Sequence, residues 1–251
     1  MNSEKLKISD LNYVLFLFKK EFLSFCTMPV LYGAALFFVL GSGLLFIGGT
    51  SWFYAGQSDL RAFFLNIPIL CCVVIPMFTM SIWADEKKQH TDKLLFSFPI
   101  SIRGIVLAKY LSLISAWFLL LILSAVIPVS VFRLGYFSLS SFFLSYCAVF
   151  FFGSGIIAFS SALSSLTSHS AINFLLSFLT VLFFTFIHTA LFKTENLNFI
   201  KTVLNYLSFT LHFESSARGI FDSRDFVFYF VLIALGVELN VFILQIQRSS
   251  R

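Results

Sequence analysis

The sequence predicts an all-α integral membrane protein with six membrane-spanning helices. Of its 251 residues, 59% are hydrophobic and only 12% are charged, and the mean hydropathy is +0.93. A soluble domain carries about 25% charged residues, and a chain this apolar could not hide its surface from water. Ordinary soluble enzymes, disordered chains and disulfide scaffolds are therefore excluded. The four cysteines have neither paired nor metal-type spacing, and we interpret them as reduced packing residues.

Six apolar windows are long enough to cross a membrane, because a helix needs about 20 residues to span the hydrocarbon core. Five of them contain no Asp, Glu, Lys or Arg, and the sixth contains only Glu238. Barrel strands would alternate in character over about ten residues, so the windows indicate helices of a single transmembrane domain, residues 1–251. The windows are Val30–Gly48, Ala62–Trp83, Tyr110–Phe132, Phe142–Leu166, Ala171–Phe192 and Phe226–Ile246.

The distribution of basic residues predicts the orientation of the chain. Eleven Lys and Arg residues lie in the N-terminal segment, the connection after the second span and the C-terminal tail, whereas six lie on the other side. Cytoplasmic connections carry the excess of basic residues in membrane proteins. Both termini are therefore expected in the cytoplasm.

The N-terminal segment predicts an amphipathic helix at the inner membrane surface. Its apolar stripe has helical spacing and consists of Leu11, Leu15, Phe18, Phe22 and Phe25. Asn12, Lys19 and Glu21 lie off this stripe. Pro29 is expected to redirect the chain into the first span. A simple anchor that sets the topology is compatible with the same pattern.

The connection between the second and third spans predicts a contact for another protein. Thr91 can cap a short apolar helix over Lys93–Phe98, which Pro99 ends. Ser101 can cap a helix that rises into the third span, and the Lys109 amine is expected to reach the membrane surface. An apolar helix that charged flanks hold in the cytoplasm favours a groove on a partner.

Three features of the later spans bear on function. Residues 193–225 mix polar with many apolar residues, which predicts short external helices that dip toward the membrane. Glu238 is a candidate for a substrate or gating role because a charge in a span costs several kcal/mol, although a protonated carboxyl or a bond to a neighbouring helix is the stronger interpretation. Ser154, Ala158 and Ala162 recur at four-residue spacing and favour close helix packing within the subunit, with a dimer seam as the alternative.

The chain lacks the residue patterns of an energy-converting enzyme. No G-x-x-x-x-G-K-[ST] loop is present, so ATP hydrolysis by that route is excluded. The four histidines do not have the i, i+4 spacing of a zinc helix. We therefore expect neither a metal nor another cofactor in this chain, and no nucleic-acid partner.

The connection after the second span also carries a characteristic order of residues. It consists of Pro76, Thr79, Met80, Asp85, Glu86, Lys87, Thr91, Leu94, Leu95, Pro99, Ser101, Ile105, Val106 and Lys109. This order resembles the pattern of ABC-2 type ABC-transporter permeases: P-x-x-T-M, an acidic pair, basic residues, G-T-x-E-L-L, then P-[VI]-S and I-V-x-x-K. Two positions depart from it, since His90 replaces the usual glycine and Lys93 the usual glutamate.

Two further stretches are similar to the gliding-motility-associated branch of that family. Phe18–Phe22, followed by Pro29 and Tyr32, resembles its opening, F-K-K-E-F…S-P-x-A-Y. The stretch from Leu207 to Asp225 resembles its ending, L-S…H-F…R-G-V-I-D-x-R-D. The resemblance covers residues 16–246 with all six spans in register.

The resemblance implies the permease subunit of an ATP-driven transporter, expected to be an exporter in the bacterial cytoplasmic membrane. Two permeases, copies or relatives joined by their first and fifth spans, would surround a transport path in the lipid bilayer. Two separate ABC ATPase subunits would bind ATP and Mg, and an auxiliary extracytoplasmic protein is a further expected partner. The alternatives are an ion-coupled carrier or channel, which would want broken helices or mid-membrane charges, and a membrane-assembly scaffold without transport.

The resemblance also implies roles for two groups of residues. The ATPase-coupling group consists of Lys19, Lys20, Glu21, Asp85, Glu86, Thr91, Leu94, Leu95, Phe96 and Pro99. Within it, Leu94, Leu95 and Phe96 are expected to supply burial, and Glu86 an ionic anchor. The external cap consists of His212, Phe213, Arg218, Gly219, Asp222, Arg224 and Asp225. The charges of this cap are expected to order it through ion pairs and helix capping rather than to bind substrate.

Overall fold

The computed structural model describes residues 2–48, 60–91, 101–132, 139–190, 204, 206–217 and 222–249. All secondary-structure elements in these ranges are helices, as the sequence predicts. The helices are α1 (Asn2–Thr27), α2 (Pro29–Gly48), α3 (Arg61–Leu65), α4 (Ile67–Thr79), α5 (Ala84–Lys88), α6 (Ile102–Ser124), α7 (Val126–Phe132), α8 (Leu139–Ser164), α9 (Ser170–Ala190), α10 (Phe209–Ala217) and α11 (Ser223–Ser249).

Six helical stretches in the described ranges are long and apolar enough to cross a membrane, which confirms the predicted number of spans. They are Pro29–Gly48, Ile67–Lys88, Ile102–Val131, Leu139–Ser164, Ser170–His188 and Ser223–Ser249. The second begins later than predicted because the short helix α3 precedes it, separated by a turn at Asn66. The third begins earlier because α6 already starts at Ile102 and runs unbroken into the span. Ser101 caps α6 as predicted, since its Oγ accepts the Gly104 N–H at 3.1 Å.

The N-terminal helix α1 packs along α6. It ends at Thr27, and α2 begins at Pro29, so the chain turns where the proline was expected to redirect it. The predicted apolar stripe is partly wrong, because Leu15 is 53% exposed whereas Glu21 is buried on the packed side. The packed side instead carries Leu17, Glu21 and Phe25. Glu21 is buried because a cation on α6 faces it, and a count of apolar spacing does not detect such a partner.

The fourth and sixth spans, α8 and α11, pack closely against each other. Gly236 of α11 lies directly on the backbone of α8, where an added Cβ would meet the carbonyl carbon of Ala158 at 2.7 Å. Ser154, Ala158 and Ala162 are all buried within the chain. The row of small residues therefore packs inside the subunit, in agreement with the favoured interpretation.

The short helix α10 confirms that the connection before the last span contains helical structure. It packs on α3, α8, α9 and α11. Phe213 on its inner side is buried, 5.1 Å from Phe152 between ring centroids. The Tyr229 hydroxyl of α11 donates to the Phe209 carbonyl at 3.0 Å. The apolar residues of this helix thus enter the core of the bundle.

We call the end of the bundle that carries α5, the first turns of α6 and the last turns of α11 the terminal face, after the C-terminal turns of α11. The end that carries α3, α10 and the first turn of α11 is the opposite face. Each face contains one cluster of buried polar side chains, described below.

The close contact between α8 and α11 can be tested by its effect on the free energy of unfolding. Gly236→Ala is expected to lower the free energy of unfolding by about 1–3 kcal/mol, because the new methyl group overlaps the backbone of α8. Gly43→Ala is the matched control, since its Cβ would meet only Ile127 Cδ1 at an ordinary 3.5 Å. Thermal unfolding in detergent measures both. Equal stability of the two variants would contradict the close contact at Gly236.

Candidate functional site

The terminal face is organised around Lys109, in the third turn of α6. Its Nζ lies 2.8 Å from Glu86 Oε1 of α5 and 3.3 Å from Glu21 Oε2 of α1. It also donates to the Ile82 carbonyl at 3.1 Å and lies 4.8 Å from the centroid of the Trp83 ring. One ammonium therefore joins the N-terminal helix, the connection after the second span and the third span. We call Glu21, Glu86 and Lys109 the lysine cluster.

Burial explains why the lysine cluster needs all of its members. The Lys109 side chain is only 3% exposed, so the expected position of its amine at the membrane surface is wrong. A buried ammonium costs several kcal/mol unless it is paired and all of its donors are used. Lysine has three N–H donors, and two carboxylates and one carbonyl accept them.

The lysine cluster holds more acid than base. Two carboxylates share one buried ammonium, and among the described residues Glu86 Oε2 is buried without a hydrogen-bond partner. Exposed Lys20 approaches the other carboxylate at its outer side, 3.9 Å from Glu21 Oε1. Glu86 is thus directed inward, a geometry that differs from the expected ionic anchor for a partner protein. It can act on a partner through the position of α5 rather than by direct contact.

A second contact joins α5 to the fourth and sixth spans. Lys87 Nζ donates to the Ser165 carbonyl and, at 2.7 Å, to Gln247 Oε1 of α11. Gln247 Nε2 also donates to the Ser165 carbonyl at 2.9 Å. Ser165 directly follows α8, where unpaired carbonyls and the helix dipole favour a cation. Sequence reasoning assigned no role to this contact, and its only signal is the basic pair at the end of α5.

Asn173 in α9 fastens the turn between the fourth and fifth spans. Its Nδ2 donates to the Ser164 carbonyl at 2.9 Å and to the Thr167 carbonyl at 3.1 Å. A longer contact of 3.4 Å reaches the Met80 carbonyl at the end of α4. Sequence reasoning missed this residue, although a single amide in an otherwise apolar span was a visible signal.

The remaining coupling residues are only partly described. Lys19 and Lys20 lie exposed on α1, and Asp85 is half-buried on α5. The Thr91 hydroxyl donates to the Glu86 carbonyl at 3.3 Å. The helix that Thr91 was expected to cap, with its residues Leu94, Leu95, Phe96 and Pro99, lies outside the described residues.

The backbone at His90 has an unusual conformation. His90 stands where the pattern has glycine, and its φ is +56°, in the left-handed region. Glycine adopts this conformation without strain, whereas other residues pay about 1–2 kcal/mol for it. The backbone of this chain therefore keeps the conformation that the glycine of the pattern would favour.

Glu238 has a cationic partner that the sequence analysis did not identify. Arg103 Nη2, in the first turn of α6, lies 3.1 Å from Glu238 Oε2. The two side chains are 67% and 58% exposed, so the carboxylate is not buried within the chain. This geometry favours a bond to a neighbouring helix, and the proposed substrate or gating role stays a prediction.

The opposite face contains the described polar residues of the cap that the sequence predicts. Asp225, near the start of α11, is only 7% exposed. Its Oδ1 lies 2.8 Å from His212 Nδ1 of α10, and its Oδ2 accepts the Ser215 hydroxyl. Asp222 Oδ1 accepts the Arg224 N–H at 2.9 Å, which caps the start of α11. Arg218 and Gly219 lie outside the described residues.

Neither face resembles a metal centre or a hydrolytic site. Within the described ranges, no three His, Cys, Asp or Glu side chains come together as ligands. At the opposite face, the Ser215 hydroxyl donates to Asp225 and to the His212 backbone carbonyl rather than to the His212 ring, so the three side chains do not have the order of a catalytic triad. Both clusters instead join helices, the lysine cluster through paired charges and the cluster at the opposite face through the hydrogen bonds of Asp225.

The fold and the polar clusters define a multi-pass membrane protein whose connections are fastened to its spans. A protein-family model described as an ABC-2 family transporter protein matches residues 16–215. The chain belongs to this family, which confirms that it is an ABC-2 permease, a class that works with ATPase subunits. A comparison with curated proteins gives no match. The gliding-motility branch stays a prediction.

Replacement of Lys109 is expected to lower the free energy of unfolding. Lys109→Met is expected to cost about 3–5 kcal/mol, because it takes from the largely buried carboxylates of Glu21 and Glu86 the ammonium that joins them. Lys88→Met, on the exposed side of the same connection, is the matched control and should change stability by less than about 0.5 kcal/mol. Thermal unfolding of the full chain in detergent measures both.

The double variant Lys109→Met/Glu86→Gln tests whether the effect belongs to the pair. Removal of one orphaned charge should restore part of the lost stability, because contacting residues are not additive. If Lys109→Met were as stable as Lys88→Met, the lysine cluster would not hold the terminal face together.

Proposed function

We propose that this chain is the membrane-spanning subunit of an ATP-driven ABC exporter in the bacterial cytoplasmic membrane. Two such subunits, copies or relatives, form the transport path. Two separate ATPase subunits bind ATP and Mg and dock on the terminal face, which lies in the cytoplasm together with both chain ends. The family match supports the permease class, and the arrangement of the terminal face supports this mode of coupling.

The observation that carries the proposal is the shared use of Lys109. The resemblance assigns ATPase contact to the N-terminal helix and to the connection after the second span. Glu21 belongs to the first of these segments and Glu86 to the second, and both pair with the same ammonium of the third span. A displacement of either segment by an ATPase is therefore transmitted directly to α6.

The contact of Lys87 extends this transmission to two more spans. Through Ser165 and Gln247 the connection is bonded to the ends of α8 and α11. The same short helix, α5, thus reaches the third, fourth and sixth spans. This is the arrangement expected of an element that converts movement of a partner into rearrangement of a bundle.

The exposed pair of Glu238 and Arg103 weighs against the ion-coupled carrier. A carrier of that kind uses ionisable groups near the middle of the membrane, buried in the protein or facing a cavity. Glu238 instead pairs with the first turn of α6. The membrane-assembly scaffold is tested below through ATP-dependent transport.

The second permease packs, in this proposal, on the first and fifth spans. In the structure, α2 and α9 both contact α4, and their outer sides carry large exposed apolar residues. On α2 and α9 these include Tyr32, Leu36, Leu40, Leu44, Leu175, Leu179 and Phe183. The row of small residues on α8 is occupied by α11 and does not serve as the seam.

The lysine cluster also supports the gliding-motility-associated branch. The opening motif F-K-K-E-F of that branch includes Glu21, the residue that pairs with Lys109. One side chain of the motif, Glu21, thus forms an ion pair that joins α1 to α6 in this chain. We therefore extend the proposal to this branch, while the transported substance is left to experiment.

Two substitutions test the coupling. Leu95→Asp is expected to prevent binding of the ATPase subunits, since an apolar side chain buried in a docking groove contributes about 1.5–3 kcal/mol. Glu86→Ala is expected to leave binding intact but to separate ATP turnover from transport, because α5 loses its bond to α6. Gln89→Ala is the matched control, as Gln89 is exposed in the same connection and belongs neither to the lysine cluster nor to the ATPase-coupling group.

The measurements are copurification of the ATPase, ATP turnover, and efflux of a fluorescent amphipathic probe that the wild-type complex exports from liposomes. Full assembly of Leu95→Asp together with normal efflux by Glu86→Ala would show that this connection is not the coupling element. Absence of any ATPase partner would favour the scaffold.

A further inference from the structure

His212 on the opposite face lies between two oxygen atoms. Its Nδ1 is 2.8 Å from Asp225 Oδ1, and its Nε2 is 3.1 Å from the Tyr206 carbonyl oxygen. A carbonyl oxygen only accepts hydrogen bonds, and so does an ionised carboxylate. A neutral imidazole has a single N–H and can satisfy only one of the two. Both bonds at once therefore require one proton more than neutral histidine and ionised aspartate provide.

The surroundings hold this proton in place. Asp225 is almost fully buried, and its second oxygen accepts the Ser215 hydroxyl. The His212 ring stacks on Phe228 with centroids 4.1 Å apart and meets Tyr206 edge-on at 5.5 Å. The imidazole can thus not rotate freely to replace a lost hydrogen bond. Loss of the proton must break either the bond to α11 or the bond to the segment at Tyr206.

Among the described residues, Asp225 is the acidic partner of His212, and other titratable groups lie on the elements that pack against α10. These groups are Arg61 on α3, His188 on α9, Glu214 on α10 itself, and Asp222, Arg224 and Tyr229 on α11. His188 Nδ1 is engaged with Ser208 Oγ at 3.1 Å. The Tyr229 hydroxyl donates to the Phe209 carbonyl.

We propose that His212 is a proton-operated clasp. With the extra proton bound, it fastens α10 and the segment at Tyr206 to the start of α11. The stabilisation is present while this proton is bound and is lost when alkaline conditions remove it. The cap on the opposite face is therefore rigid in acid and loose at alkaline pH. This property concerns the face away from the lysine cluster and is independent of the proposed ATPase docking.

Hydrogen exchange of the full-length chain in lipid nanodiscs tests the clasp. After correction for intrinsic exchange rates, the amides of Phe209–Ala217 are expected to be about tenfold better protected at about pH 5 than at about pH 8, the scale of one charge-assisted hydrogen bond. His212→Gln should abolish this difference, since glutamine does not take up a proton. His188→Gln is the matched control and should preserve it.

Two results would overturn the clasp: protection in the wild type that does not depend on pH, or a pH dependence that survives in His212→Gln. If that variant does not fold, Asp225→Asn supplies the same comparison. A ¹⁵N-histidine NMR spectrum of the wild type gives an independent readout. At about pH 5 both ring nitrogens of His212, or one of them and the Asp225 carboxyl, must carry protons, and a neutral imidazole beside an ionised Asp225 would refute the proposal.

Discussion

A buried ammonium at the start of the third span is the constraint on which the terminal face depends. Lys109 is surrounded by protein, and an unpaired charge there would cost several kcal/mol. The two carboxylates that neutralise it come from residues far away in sequence, Glu21 and Glu86. The N-terminal helix must therefore pack along α6, and the chain must turn after Thr79 to bring α5 back. The path of both connecting segments follows from this single side chain.

The spans themselves are held together mainly by close packing. Lipid offers no hydrophobic drive for helix association, so close packing decides which helices pair. Gly236 allows α11 to touch the backbone of α8, and Trp117 fills the space over Gly153. Polar contacts then hold both ends of α11: Gln247 bonds to Ser165 at the end of α8 at the terminal face, and Asp225 bonds to α10 at the opposite face. A movement of α11 would thus reach both faces.

The sequence predicts the spans well and the polar clusters poorly, for a physical reason. Apolar length is a local property, and in lipid a long apolar segment has scarcely any alternative to a helix. The cap at Ser101 and the break at Pro29 are equally local signals. The pairing of Lys109 with Glu21, or of Arg103 with Glu238, joins residues from distant segments. No periodicity within one helix shows such a partner, which is why Glu21 was assigned to the wrong side of α1.

The central claim is that α1 and α5 move as one body because they share Lys109. Double electron–electron resonance tests this claim directly, because it measures the distance between two spin labels. The labels are placed at exposed positions 19 and 88, in a chain whose four native cysteines are replaced. The account predicts one narrow distance distribution that is the same in nucleotide-free and ATP-bound complexes, and that broadens when Lys109 is replaced by methionine. A wild-type distance that changes with ATP, or a distribution that the Lys109 substitution leaves narrow, would contradict the account.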